Sequence, residues 1–294
     1  MRAAQLYAEN KNKPVISYEF FRPKTEKAEQ NLENSLDVLC RTPHDFMTVT
    51  FGAGGSTREG SFQLIDKLQN ERKEKVVAYI AGVGLGPDDL TGVLDTFKEK
   101  GIETVFAIRG DEPKDDAAFA PHPQALPHAS DLLDFIRSRY DFCLGAAGYP
   151  EGHIEAESLD QDVQYVKLKQ DSGAEYIVAQ FCYDNAFFYD FLKRCRSAGV
   201  TIPIVPGIMP IYTVKLLEIL SSVCGSTITD EIRDGLAQIA DDDKEGVLQY
   251  GIELATRQCR DLLKNGVPGL HFYTMNRSKS VNAIVTTLQK EGLL

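Results

Sequence analysis

One carboxylate stands out by its surroundings. Glu19 lies near the end of an apolar run, 15–21, that breaks at Pro23. A carboxyl carried into such a setting has its pKa raised, and that is how a general acid is made near neutral pH. The plainer alternative is a structural acid paired with Arg22 or Lys24. Other polar groups recur where apolar runs end: Thr50, Arg109-Gly110-Asp111, Tyr149 with His153, Gln180 with Asp184, and Tyr273 with Arg277. Arg109 and Asp111 fit either a buried ion pair or a cofactor contact. His153 fits either a loop position or a ligand contact. Gln180 sits beside Phe181 on an apolar run, where a buried amide must find hydrogen-bond partners and a ligand is a natural one. The glycine-rich run 52–56 is either a tight turn or a cradle of N–H groups for phosphate, without Walker or G-x-G-x-x-G spacing. Lys169 falls on the solvated face of a helical pattern. No His, Cys, Asp and Glu cluster has metal-ligand spacing.

Short β-rich runs alternate with longer helical ones throughout. Strands are predicted over 15–21, 46–51, 76–81, 104–108, 143–147, 176–181, 202–206 and 270–274. Helical patterns fill the intervals, with two or three helices between 212 and 264. Pro87-Asp88-Asp89 opens one of them, with acids where the helix dipole favours them. Strand–helix alternation implies parallel βαβ units, and eight of them in 294 residues favour a closed, single-domain (β/α)8 TIM barrel over an open sheet. Residues 1–13 are a polar N-terminal extension, and the proline-rich stretch 112–128 is a loop. In such a barrel, chemistry sits at the C-terminal strand ends. The strand ends of this chain are polar and aromatic, as one pocket for a large, flat, polar ligand requires.

The formal charge of −11 excludes a general nucleic-acid or anionic-membrane binder. The six cysteines are scattered without a CxxC pair and are expected to be reduced core thiols. No apolar run approaches the ~20 residues of a membrane span, and no signal-peptide region opens the chain, so a cytoplasmic protein is expected.

Six ordered motifs resemble the 5,10-methylenetetrahydrofolate reductase family across nearly the whole chain. They are Ser17-Tyr18-Glu19-Phe20-Phe21-Arg22-Pro23-Lys24, the stretch from Thr48 to Ser56, Arg109-Gly110-Asp111, Tyr149-Pro150-Glu151-Gly152-His153, Pro206-Gly207-Ile208-Met209-Pro210 and the stretch from His271 to Arg277. The resemblance implies a (β/α)8 barrel with non-covalent FAD and ping-pong chemistry. NAD(P)H reduces the flavin, and the flavin passes a hydride to the opened folate, giving 5-methyltetrahydrofolate. It makes Glu19 the general acid and Asp111 the acid near flavin and pterin. Gln180, Tyr273 and Arg277 become substrate contacts, with Arg277 facing the glutamate tail. Thr50, Arg109, Gly110, Tyr149, His153, Ala156, Asp162 and Lys169 become FAD contacts, which reverses the solvated reading of Lys169. The length leaves no room for the regulatory domain of animal members.

The chain departs from the family pattern in three places. The third strand usually ends His-Leu-Thr-Cys; here it reads Tyr79-Ile80-Ala81-Gly82, with Tyr79 in the histidine's place among the cofactor contacts. Cys182 and Tyr183 replace aromatic neighbours of Gln180. An aliphatic residue, Val214 or Leu220, stands where a phenylalanine helps to stack the nicotinamide. Two alternatives follow: electrons from a partner protein instead of NAD(P)H, or a flavin- and folate-binding subunit without turnover. The expected partners are the folate, further copies of this chain, and an electron-transfer subunit on the first alternative.

Overall fold

The computed structural model describes residues 1–9, 13–52, 55–112 and 119–294. Eight parallel strands close into a barrel in sequence order: β1 Val15–Phe20, β2 Phe46–Val49, β3 Val76–Ala81, β4 Thr104–Ile108, β5 Cys143–Gly148, β6 Tyr176–Ala179, β7 Ile204–Ile208 and β8 Gly269–Tyr273. β8 returns to pair with β1 from Val15↔Gly269 to Glu19↔Tyr273. The surrounding helices are α1 Ala3–Glu9, α2 Glu26–Leu39, α3 Gly55–Asp66 (continued by a π turn, Lys67–Glu71), α4 Pro87–Glu99, α5 Ala129–Arg137, α6 Leu159–Asp171, α7 Asn185–Ser197, α8 Val214–Cys224, α9 Asp230–Ala237, α10 Lys244–Lys264 and α11 Lys279–Lys290. This is the expected TIM barrel.

Local signals account for the helix starts. Thr25 caps α2 by accepting the Ala28 N–H at 3.2 Å, and Leu32, Leu36 and Leu39 then bury one face. Ser158 caps α6 in the same way through Gln161. Pro87 sits in the first turn of α4 with Asp88 and Asp89 behind it. The strands are nearly continuous buried runs because both of their faces are covered. Their outward side chains meet the helices in one large apolar layer. The inward ones, including Val15, Phe46, Val77, Tyr79, Phe106, Tyr176 and Val205, fill the lumen.

Three expectations need correction. The stretch 1–9, expected as part of a polar extension, is packed, because α1 buries Ala3 and Tyr7 against the lumen cluster. The Ala3 N–H donates to Thr104 Oγ1 at 3.0 Å, which fastens the helix across the N-terminal end of the barrel. The strand expected over 202–206 runs instead from Ile204 to Ile208, taking in Gly207. A side chain at Gly207 would strike the Ala179 carbonyl and the Tyr273 ring, so glycine there is a packing requirement rather than a turn signal. The strand expected over 46–51 ends at Val49. Residues 53, 54 and 113–118 lie outside the described residues, and the phosphate-cradle reading of the 52–56 run falls largely with them.

All six cysteines are free, four of them buried. Among the described residues no group of three or more His, Cys, Asp or Glu gathers as metal ligands would, and no helix is long and apolar enough to cross a membrane.

At the base of the barrel His44 bridges the Thr42 carbonyl and Glu74 Oε2, both at 2.8 Å. Burial lowers the His44 pKa, but the contacts to Glu74 and Thr42 outweigh it and leave it raised above 6.5. Burial raises the Glu74 pKa, but its contacts with His44 outweigh that and leave it lowered below 4.5. The histidine's contribution to stability is therefore full below its unfolded pKa and is lost as pH rises through the folded value. The glutamate's is lost as pH falls through its own folded value. His44→Gln should lower the melting temperature at about pH 5.5 more than at about pH 8.5. Equal losses at both would rule out the charged pair.

Candidate functional site

Glu19 is the last residue of β1 to pair with β8, and its side chain is 16% exposed. The carboxyl therefore stands at the barrel mouth with an apolar strand behind it. Three side chains surround it. His271, fully buried on β8, brings Nε2 to 3.6 Å from Glu19 Oε2 and holds Ser17 Oγ at 2.8 Å through Nδ1. Its Nε2 has no hydrogen-bond partner. Tyr79 lies in the lumen, stacked on Phe106 at 4.4 Å and 22°. Burial first, and the Glu19 charge second, push its phenol well above the usual value. The same two causes, in the same order, act on Tyr273. Both phenols keep their protons and can act as donors beside the acid.

The folate-side candidates flank this group. Tyr273 meets Phe181 edge-on at 6.1 Å. Gln180, half-buried, spends its side-chain carbonyl on the Phe181 N–H at 3.0 Å, which leaves its NH2 to offer a ligand. Arg277 is exposed, with its guanidinium 5.5 Å from the centre of the Tyr212 ring.

A cleft of about 280 Å³ opens beside the mouth between β4, β5, α5 and α6, near the lower end of the ~300–1,000 Å³ of small-molecule sites. Six of the expected FAD contacts line it: Arg109, Tyr149, His153, Ala156, Asp162 and Lys169. Lys169 is half-buried along its stem, but its ammonium reaches inward and donates to the Ala147 carbonyl at 2.8 Å. It also lies 5.5 Å from the Tyr149 ring centre. Burial lowers its pKa, with Asp162 opposing that shift. Asp162 is buried, and burial raises its pKa against the pull of Lys169. Its Oδ2 has no partner. Tyr149 meets His153 edge-on at 4.7 Å, and burial lifts its phenol to about 12. Two cations, an unsatisfied buried acceptor and the apolar side chains of Tyr165 and Leu168 suit a phosphorylated nucleoside. The cations can meet phosphate, the acceptor can take hydroxyl or amine protons, and the apolar wall can cover a base.

Arg109 does not pair with Asp111. It makes a two-point contact with the exposed carboxylate of Glu155, Nη2 lying 3.0 Å from Oε1 and Nη1 on the other oxygen. Glu155 therefore competes with any anion for this guanidinium. If the cleft takes FAD, as the family resemblance implies, Glu155→Gln should tighten its binding by roughly threefold to tenfold, since it removes one charge-assisted partner. Titration of the apoprotein followed by flavin fluorescence reads this directly, and weaker binding would contradict the competition.

The remaining candidates are less gathered. Asp111 is exposed, but its charge acts on Arg109 and Tyr149. Gly110 has φ +82°, and a side chain there would strike Val83 and Ala81, which keeps the backbone close beside Arg109. Thr50 is half-buried at the end of β2, and its carbonyl accepts the Ser61 hydroxyl at 3.0 Å. Tyr79, expected among the cofactor contacts, faces Glu19 and does not line the cleft. Sequence reasoning gave no role to His271, Glu155 or Tyr212. His271 had a usable signal, because it shares strand parity with Tyr273 and faces inward with it. Glu155 had none, being a loop acid among many.

The family model described as methylenetetrahydrofolate reductase matches residues 4–289. The chain belongs to the methylenetetrahydrofolate reductase family. It is 32% identical to 5,10-methylenetetrahydrofolate reductase of Escherichia coli, over 97% of this chain and 94% of that one. It is 36% identical to methylenetetrahydrofolate reductase 1 of Schizosaccharomyces pombe and 35% identical to methylenetetrahydrofolate reductase (NADH) 1 of Zea mays. The chain spans about half the length of these fungal and plant reductases, 48% and 49%. A Clostridium thermocellum protein, described as binding two copies of 5-methyl-5,6,7,8-tetrahydrofolic acid, shares the fold with a TM-score of 0.64 at 16% identity over 99% of each chain.

Proposed function

We propose that this reductase-family chain reduces 5,10-methylenetetrahydrofolate to 5-methyltetrahydrofolate, with FAD in the Arg109–Lys169 cleft and NADH or NADPH as the electron donor. The carrying observation is Glu19, a half-buried carboxyl at the barrel mouth ringed by His271, Tyr79 and Tyr273. Membership of the family supports the substrate. The bound flavin would supply the hydride. Glu19, protonated on its carboxyl, gives that proton to a nitrogen of the folate's five-membered ring. The adjacent C–N bond then breaks and leaves an iminium carbon to accept the hydride. Tyr79 and Tyr273 donate toward the carboxylate that remains. Gln180 offers its NH2 to the pterin, and Arg277 meets the glutamate carboxylates. In the cleft Arg109 and Lys169 face the diphosphate, and Asp162 Oδ2 accepts from the nucleoside.

The test is anaerobic. NADH or NADPH should bleach the bound flavin, and methylenetetrahydrofolate should restore its colour. A protein that takes up no FAD refutes the reading. A second reading keeps the folate chemistry but draws electrons from a partner protein. It is favoured by α8, where Val214, Ile219 and Val223 are aliphatic and 40%, 47% and 50% exposed. Rapid bleaching by NADH would count against it.

A further inference from the structure

The β8–β1 ladder ends at Glu19↔Tyr273, yet the hydrogen bonding does not stop there. Past Thr274 the chain turns through two left-handed residues, Met275 with φ 51° and Asn276 with φ 54°. Few residues other than glycine adopt that conformation, and asparagine is among those that do. The turn brings the Asn276 side chain, which is buried, alongside Phe21. Its Nδ2 donates to the Phe21 carbonyl at 2.8 Å, and its Oδ1 accepts the Phe21 N–H at 3.2 Å. A side-chain amide thus replaces the strand peptide that the turn has carried away. Thr274 completes the tie. Its hydroxyl donates to the Glu19 carbonyl at 2.6 Å and accepts the Asn276 N–H at 3.1 Å. From α2, Ser35 donates to the Asn276 carbonyl at 2.8 Å. The next residue is Arg277, whose N–H is bonded to the Thr274 carbonyl at 2.9 Å and whose guanidinium lies by Tyr212. Tyr212 in turn donates to the Tyr273 carbonyl at 3.1 Å.

We infer that Asn276 is a positioning residue, which locks the backbone beside the acid Glu19 to the turn that presents the substrate-binding Arg277, so that the two ends of the folate are held in one register. The inference rests on the folate reading above. Both peptide groups of Phe21 and the carbonyl of Glu19 bond to this turn, so the turn cannot shift without moving the acid's strand. The Asn276 amide and the Thr274 hydroxyl together link the two ends.

The test is a double-mutant cycle on the full chain, with FAD bound. Asn276→Gly keeps the left-handed backbone at ease while deleting the amide. It should lower kcat for methylenetetrahydrofolate about tenfold or more and raise its KM, with FAD content unchanged. Arg277→Ala should raise KM about tenfold in the parent protein but less than about twofold in the Asn276→Gly background, because the arginine there is already out of place. A glycine variant with parental kcat and KM, or two effects that simply multiply, overturns the inference. Thr274→Val cuts the second tie and should fall in the same direction if the glycine variant does not fold. A parent protein with no folate turnover would refute the folate reading instead. Amide exchange then decides the coupling alone. In Asn276→Gly the Phe21 and Arg277 amides should exchange about tenfold faster together, and unchanged protection at either one refutes the link.

Discussion

Glu19→Gln should lower folate reduction by about a hundredfold to ten-thousandfold, the range a general acid contributes, while FAD content stays at the parental level. Glutamine keeps the shape of the side chain and can still face His271 and Tyr79, but it has no proton to give. The split between the two readouts follows from the layout. Glu19 lies at the mouth with His271, Tyr79 and Tyr273, and none of these lines the Arg109–Lys169 cleft. Flavin reduction by NADH needs no proton from Glu19 and should proceed at close to the parental rate. Folate turnover within about threefold of parental would remove Glu19 from the acid role.

Lys169→Met should weaken FAD binding by about tenfold to a hundredfold, the equivalent of one charge-assisted hydrogen bond of about 1.5–3 kcal/mol. The apoprotein should melt no lower than the parent. The reason is the cost of holding this ammonium where it is. Burial lowers its pKa, Arg109 adds to that shift, and among the described residues its one hydrogen bond is to the Ala147 carbonyl. Methionine fills the same volume without a charge to desolvate, and such replacements are often neutral or stabilising. A variant that binds FAD as tightly as the parent would return Lys169 to a structural role. A large drop in apoprotein melting temperature would do the same.

The barrel was legible because its evidence is periodic. Eight apolar runs separated by helical patterns leave few parallel folds available, and reading only their ends picks out Glu19, Arg109, Tyr149, Gln180 and Tyr273. The cleft was legible only through resemblance. Asp162 and Lys169 lie on α6, where a polar residue facing a cleft has the same helical spacing as one facing water. Pattern alone therefore put Lys169 on a solvated face. Tyr79 was placed by resemblance too, and the cleft lining does not include it. Position along a strand says how near the mouth a residue lies, but parity decides which way it points, and Tyr79 points into the lumen beside Phe106. The role of α1 was hidden by composition, since seven mostly small or polar residues cover the barrel base with only Ala3 and Tyr7 buried.

That helix has a consequence for traffic. With α1 seated across one end and aromatic side chains packed behind it, the lumen is a cul-de-sac. Molecules that reach Glu19 must then come and go by the mouth, not through the base. On the proposed reading, unlike ligands would queue for the same threshold, and a spent one would bar the next until it departs. Raising the concentration of either reactant should eventually slow turnover by crowding out the other, a signature of architecture that no single residue at the mouth would produce.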